Sequence, residues 1–255
     1  MAHPAAGAPT MRILLLLTAI AMPVVSWFSQ RGTFGPTNGE LSDRYPTLLV
    51  AAGWAFSVWG LIFLLDLVFA AWQLRPRQRD DATLARVRPT AAAGFALTAA
   101  WMPIFSQQLF WLALVVIWTA LACLLYCALL LSRAPEALPG RTAWAWTPLS
   151  LHAGWLSLAA FLNTAQAAVA YRLLPVDRML GWSAALWAAA AVLLLAANHR
   201  MRGNVVYVAV ALWGLVAAYA GQSGSDLPGA TTSAWIAAGV ATVLVLQTMW
   251  LRLSD

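Results

Sequence analysis

The sequence predicts an all-α, polytopic transmembrane helix bundle, and three observations carry that prediction. Hydrophobic residues make up 62% of the 255, charged residues only 9%, and mean hydropathy is +0.74. A soluble domain usually carries about 25% charged residues, so this chain has too little polar surface to face water. The apolar residues also gather into about eight runs. Each approaches the ~20 residues that a helix rising ~1.5 Å per residue needs to cross a ~30 Å hydrocarbon core. Finally, the runs lack the alternation of barrel strands, and unsatisfied backbone groups in lipid cost several kcal/mol each, which leaves helix.

The spans follow in order. Residues 1–10 are short and Ala/Pro-rich and are expected to be disordered. The first span is about 12–28, with Pro23 as a kink; it resembles a signal peptide, but its apolar run continues through Val24 and Trp27 without a clear cleavage site. A polar loop, 29–46, precedes the second span, 47–74, a run of 28 residues whose single ionisable group is Asp66. The third span is about 90–106 and, after a tight turn at Gln107 and Gln108, the fourth is about 109–132. The fifth is about 146–171, the sixth 179–198, the seventh and weakest 204–220, and the eighth 231–251.

All of the positive charge is arginine, and it lies between the runs. A pI near 10 in a soluble chain would suggest nucleic acid; here the arginines read as topology signals. With eight spans, one side collects eleven arginines (Arg12, five in 75–89, Arg133, Arg141, Arg200, Arg202, Arg252). The other collects four: Arg31, Arg44, Arg172 and Arg178. The positive-inside rule then puts both termini in the cytoplasm and the 29–46 loop outside. His199-Arg200 reads as part of this marker. Cys123 and Cys127, one turn apart in an apolar run, read as small buried hydrophobes.

Tryptophan is the strongest signal after hydrophobicity, with 15 in the chain. An interfacial belt accounts for Trp27, Trp72, Trp144, Trp146, Trp182, Trp235 and Trp250, near span ends. It accounts poorly for Trp59, Trp118 and Trp155, each ~14–18 Å along its span from the nearer end. A buried indole N–H needs a partner, so these imply either packed polar contacts or a ligand cavity.

Three blocks then bring a family into view: Phe56–Phe63 (FSVWGLIF), Leu97–Phe105 (LTAAWMPIF) and Trp155–Asn163 (WLSLAAFLN). In order, spacing and helix placement they resemble P-[VI]-W-x-x-L-Y, L-N-x-x-W-x-P-[LI]-F and W-x-x-[FL]-A-x-x-L-N of the tryptophan-rich sensory protein family (TspO/MBR, related to the translocator or peripheral benzodiazepine-receptor proteins). The resemblance covers about residues 10–174. It departs where the family's W-x-P-P is reduced to Tyr45-Pro46, where Thr98 replaces Asn, and where Asp66 replaces an apolar residue.

The resemblance implies a five-helix domain over 1–174, with residues 175–255 as a three-helix extension. It implies an apolar pocket for a porphyrin, haem-like tetrapyrrole or sterol, lidded by the loop before the second helix. Carried over by position, the pocket uses Val58, Trp59, Trp101, Trp155, Ala159 and Leu162, while Asn163 ties helices together. The last three spans, with Trp187 and Trp213, extend this pocket, cover a homodimer face or simply pack; the residues leave these open. The implied location is the bacterial inner (plasma) membrane.

Asp66 is the most individual feature, because an acid inside a span costs ~2.5–3.5 kcal/mol even on insertion scales. It lies ~13 Å from the cytoplasmic end of its span and His152 ~9 Å from that of the fifth, which makes an Asp66–His152 pair the sharp expectation. The plainer alternative is a protonated Asp66 bonded to a backbone carbonyl or a hydroxyl such as Ser57. No phosphate loop, metal-ligand spacing or nucleophile set is present, so enzymatic chemistry is not expected. The partners expected are the bilayer and one hydrophobic small molecule, with porphyrin or haem as ligand and no metal site. The leading reading is a ligand-binding sensor, regulator or carrier. A transporter with Asp66 as coupling acid and a membrane enzyme or enzyme subunit are the alternatives.

Overall fold

A computed structural model describes residues 9–134 and 139–254. Those residues form nine α-helices: α1 Pro9–Gln30, α2 Asn38–Arg44, α3 Val58–Trp72, α4 Ala82–Ser106, α5 Phe110–Arg133, α6 Thr147–Ala170, α7 Met179–Arg200, α8 Val205–Ser223 and α9 Ala230–Ser254. The short α2 apart, these correspond to the eight expected runs. The disorder expected of residues 1–10 lies outside the described residues, except that Pro9 and Thr10 open α1.

Six of the long helices are apolar and long enough to cross a membrane on that ground alone; α4 and α6 are the two that are not. Their position explains the lower hydropathy. α6 packs against α3, α5, α7 and α8, and α4 is wedged between α1 and α5. A helix walled by protein has little need of a lipid-facing stripe. α6 accordingly buries Ser150, His152, Ser157, Asn163 and Gln166 among its core residues. The chain is an integral, multi-pass membrane protein.

The second span departs most from expectation. Helix occupies only Val58–Trp72, preceded by a 3₁₀ turn over Gly53–Ser57, and residues 47–52 are not helical. This strap descends along α8 instead. Ala52 N–H donates to Ala217 O (2.8 Å). Gln222 Nε2 donates to Val50 O (2.8 Å) and Thr47 O (3.2 Å), Trp213 Nε1 to Ala55 O (3.0 Å), and Ser233 Oγ to Leu48 O. Irregular backbone at membrane depth survives only where protein satisfies it, and α8 and α9 do so here. Gly221 permits the approach, since a Cβ there would lie 2.7 Å from Ala52 N and 2.9 Å from Val50 O.

α4 starts at Ala82 rather than near 90, because Asp81 caps it by accepting from Leu84 N–H (2.7 Å). Arg88, expected among the loop charges, is fully buried and donates to Gln73 Oε1 (3.2 Å) and to the carbonyls of Arg79 and Gln78. Trp72, assigned to the interfacial belt, is buried, whereas Trp27, Trp144, Trp235 and Trp250 are exposed. Cys123 and Cys127 are free thiols.

The loop before the strap folds over one end of the bundle. Thr37 and Glu40 form a reciprocal capping box that starts α2, and those bonds hold the Glu40 carboxyl below the usual carboxylate range. Gln166 Nε2 donates to Ser42 Oγ (3.1 Å), and Tyr45 OH donates to Gln108 Oε1 (2.8 Å). These bonds fasten the loop to the ends of α6 and α4.

Candidate functional site: an aromatic cavity beside a buried acid–histidine pair

The cavity forms where α3, α4 and α6 meet the strap. Trp59, Trp101 and Trp155, from three different helices, line one space together with Ala159, Leu162 and Asn163. Of the residues carried over by resemblance, only Val58 does not line it, although it is buried. The free space is about 50 Å³. Ring edges meet ring faces around it: Trp59–Trp155 at 6.0 Å and 83°, and Phe56–Trp155 at 6.0 Å and 86°. Such contacts between perpendicular rings are favourable for aromatic quadrupoles and fix the wall's shape.

Trp59 now stands in the first turn of α3 rather than deep within a long helix. Its level is set by its neighbours, because Trp213, well inside α8, bonds Ala55 just before it. Asn163 serves two purposes. Its Oδ1 accepts from Trp101 Nε1 (2.9 Å), its Nδ2 donates to Ala159 O (3.0 Å), and it also lines the cavity. Trp118, the other indole the belt explained poorly, does not line the cavity; it bonds Thr164 Oγ1 (3.2 Å) and packs edge-on against Phe161, which does. Trp155 Nε1 is buried with no hydrogen-bond partner.

Sequence reasoning left several lining residues unassigned. Leu49 and Ala51 come from the strap, Trp187 and Ala190 from α7, Gly214 and Ala218 from α8. Trp187 had been left among three alternatives, and its side chain lines this cavity while Nε1 donates to Ser233 Oγ (2.8 Å). The signal available was the small-residue spacing of Gly214, Ala218 and Gly221, which repeats on one helix face and suits close packing.

Behind Trp59 lies the polar pair. His152 Nδ1 is 2.7 Å from Asp66 Oδ2, and both side chains are fully buried. Phe95 stacks on the imidazole (5.9 Å, 11°), and the Trp59 ring stands edge-on to it (5.7 Å, 88°). Thr98 Oγ1 donates its proton to Gly94 O (2.9 Å), so it meets His152 Nε2 at 3.4 Å with lone pairs only. Nε2 is therefore the donor in that contact. One further proton then lies between Nδ1 and Oδ2, and the pair is neutral overall whichever atom holds it. This neutrality avoids the cost of an isolated ion in lipid. Asp66 Oδ1 has no hydrogen-bond partner. Among the described residues no group of three or more His, Cys, Asp or Glu side chains is placed to hold a metal.

Neither the curated proteins nor the solved structures include a significant match to the chain. A family model described as TSPO-like protein does match, over residues 12–250, a stretch that runs from α1 into α9 and so includes every helix around the cavity. The chain belongs to the TSPO-like protein family.

Proposed function

We propose that this membrane protein reversibly binds a flat hydrophobic molecule, of porphyrin or sterol type, between Trp59, Trp101 and Trp155, and acts as a sensor, regulator or carrier rather than as an enzyme. The observation that carries this reading is the convergence of three indoles on one apolar cavity, one of them with an unused N–H. Flat ligands stack on aromatic faces, and a buried donor without a partner favours a ligand that brings an acceptor.

The free space of about 50 Å³ is far below the ~300–1,000 Å³ of a typical ligand pocket, so binding requires the wall to move. Residues 47–52 supply that movement only by releasing their bonds to α8 and α9. They contribute Leu49 and Ala51 to the wall and lack a helical hydrogen-bond ladder of their own. The orientation that fits the arginine distribution puts both termini in the cytoplasm of a bacterial cell, with α2 and the strap on the outer side.

The test is a titration of the detergent-purified protein with protoporphyrin IX, following tryptophan emission and the porphyrin absorption band. Saturable quenching with a band shift is expected, reduced at least about tenfold in affinity by Trp155→Ala, as for loss of a stacking anchor. Equal quenching by wild type and Trp155→Ala would refute binding in this cavity. Proton-coupled transport is the second reading, favoured by the Asp66–His152 pair one ring away from the cavity. It requires porphyrin flux in proteoliposomes that Asp66→Asn abolishes while equilibrium binding persists.

A further inference from the structure

The turn between α7 and α8 is built in a way that topology alone does not require. Arg202 and Gly203 both have positive φ (57° and 70°), and Asn204 caps α8 by accepting from the N–H groups of Val206 and Tyr207. Two arginines from other helices are clamped to this turn through Nε. Arg133, closing α5, donates to Arg200 O (3.0 Å), and Arg252, near the end of α9, donates to Gly203 O (3.0 Å). Each clamp fixes a planar guanidinium by one edge. Arg133, Arg200, Arg202 and His199 line one open cleft, and Arg202 and Arg252 line a second, so Arg202 is shared.

All four arginines are exposed. Among the described residues the ion pairs are Arg141–Asp81 and His152–Asp66, so none of the four is matched to a described carboxylate. A topology signal needs positive charge near a helix end, not guanidinium groups held in place. Prepositioned guanidinium groups without a partner among the described carboxylates are the arrangement that recognises phosphate oxygens by paired N–H donors. The setting adds the source. The ends of α5, α7 and α9 and the start of α8 meet here, with Trp250 and Leu253 exposed beside Arg252, which places the cluster at headgroup depth.

We propose that Arg133, Arg200, Arg202 and Arg252 form a binding site for a phosphate-bearing anion, whose chemistry is shared by an acidic phospholipid headgroup and by free phosphate. The site is independent of the aromatic cavity, so it stands or falls separately from the porphyrin reading.

The experiment compares the protein in nanodiscs of phosphatidylcholine with and without phosphatidylglycerol, and in detergent with inorganic phosphate, counting retained lipid by native mass spectrometry. Arg133→Gln/Arg252→Gln removes the clamped pair, and Arg77→Gln/Arg79→Gln removes equal charge at the same end of the bundle. Thermal melts of all variants report folding. Phosphatidylglycerol is expected to be retained over phosphatidylcholine, with affinity falling roughly thirtyfold in the clamp variant, as for loss of charge-assisted hydrogen bonds from two guanidinium groups. The control variant should change it less than about threefold, given screening over ~10 Å. Binding of inorganic phosphate without lipid preference, lost in the clamp variant, would support the site with a soluble source. Equal retention of both lipids without phosphate binding, or equal losses in the two variants, would overturn it. If the clamp variant fails to fold, the single variant Arg202→Gln, which breaks no described hydrogen bond, carries the same expectation at about fivefold.

Discussion

Asn163 is the residue whose two hydrogen bonds hold most of the cavity's geometry. It fixes Trp101 against α6 and returns its amide protons to Ala159 O. Asn163→Leu leaves the Trp101 N–H buried without a partner, which costs about 1–3 kcal/mol. The expected outcome is a lower melting temperature together with blue-shifted tryptophan emission; an unchanged emission spectrum would show that Trp101 has another partner. At the Asp66–His152 pair the expected signature is spectroscopic. Nitrogen NMR of labelled histidine, assigned by His152→Gln, should show Nε2 protonated and Nδ1 sharing a proton. Asp66→Asn should shift the Nδ1 resonance, because the shared proton loses its carboxylate. If the His152 signals stay where they were, the shared-proton assignment is wrong. The pair itself was legible because its two members lay at comparable depths on helices expected to be neighbours. Thr98 was not recognised as the residue that sets the tautomer, since a threonine in a span ordinarily bonds its own helix, and this one does that as well.

The strap is the element that sequence reasoning misread, and the reason is physical. Residues 47–74 are apolar throughout, and hydropathy registers only that a segment leaves water, not how its backbone is satisfied. Once α8 and α9 supply donors and an acceptor for residues 48–55, helix is no longer obligatory there. Those partners lie more than 150 residues away in sequence, beyond the reach of any local pattern. Three-helix convergence at Trp59, Trp101 and Trp155 was legible all the same, because the resemblance of three sequence blocks assigned one pocket indole to each of three helices. The element makes its own prediction. Gly221→Val places a side chain into Ala52 N and Val50 O, where backbone cannot yield as a flexible side chain would. Overpacking of this kind costs about 1–3 kcal/mol. The strap should lift from α8, with faster deuterium exchange over residues 47–57 and little change in α4 or α5. Unaltered exchange in the strap would mean that α8 is not its anchor.

At the scale of the whole molecule, the cavity ties together the two segments that the resemblance separates at residues 174 and 175. The first segment supplies Trp59, Trp101 and Trp155; the second supplies Trp187, Ala190, Gly214 and Ala218, and nearly every donor that satisfies the strap. Close approach between them is built in, because a Cβ at Gly154 of α6 would lie 2.6 Å from Tyr207 O of α8. Tyr207 OH also bonds Ser157 Oγ across the same contact (2.9 Å). A five-helix unit alone would therefore expose the carbonyls of Leu48, Val50 and Ala55 to lipid and lose one wall of the slot. Each such unsatisfied group costs several kcal/mol in hydrocarbon, well above the 5–15 kcal/mol stability of a typical domain once three are added to the lost packing. Residues 1–174 expressed alone are accordingly expected to aggregate in detergent and to show no saturable porphyrin quenching. Co-expression with residues 175–255 should restore a monodisperse species, read by size-exclusion chromatography, and with it the quenching. A stable 1–174 fragment that binds porphyrin as the full chain does would show instead that the last three helices only pack against a site complete without them.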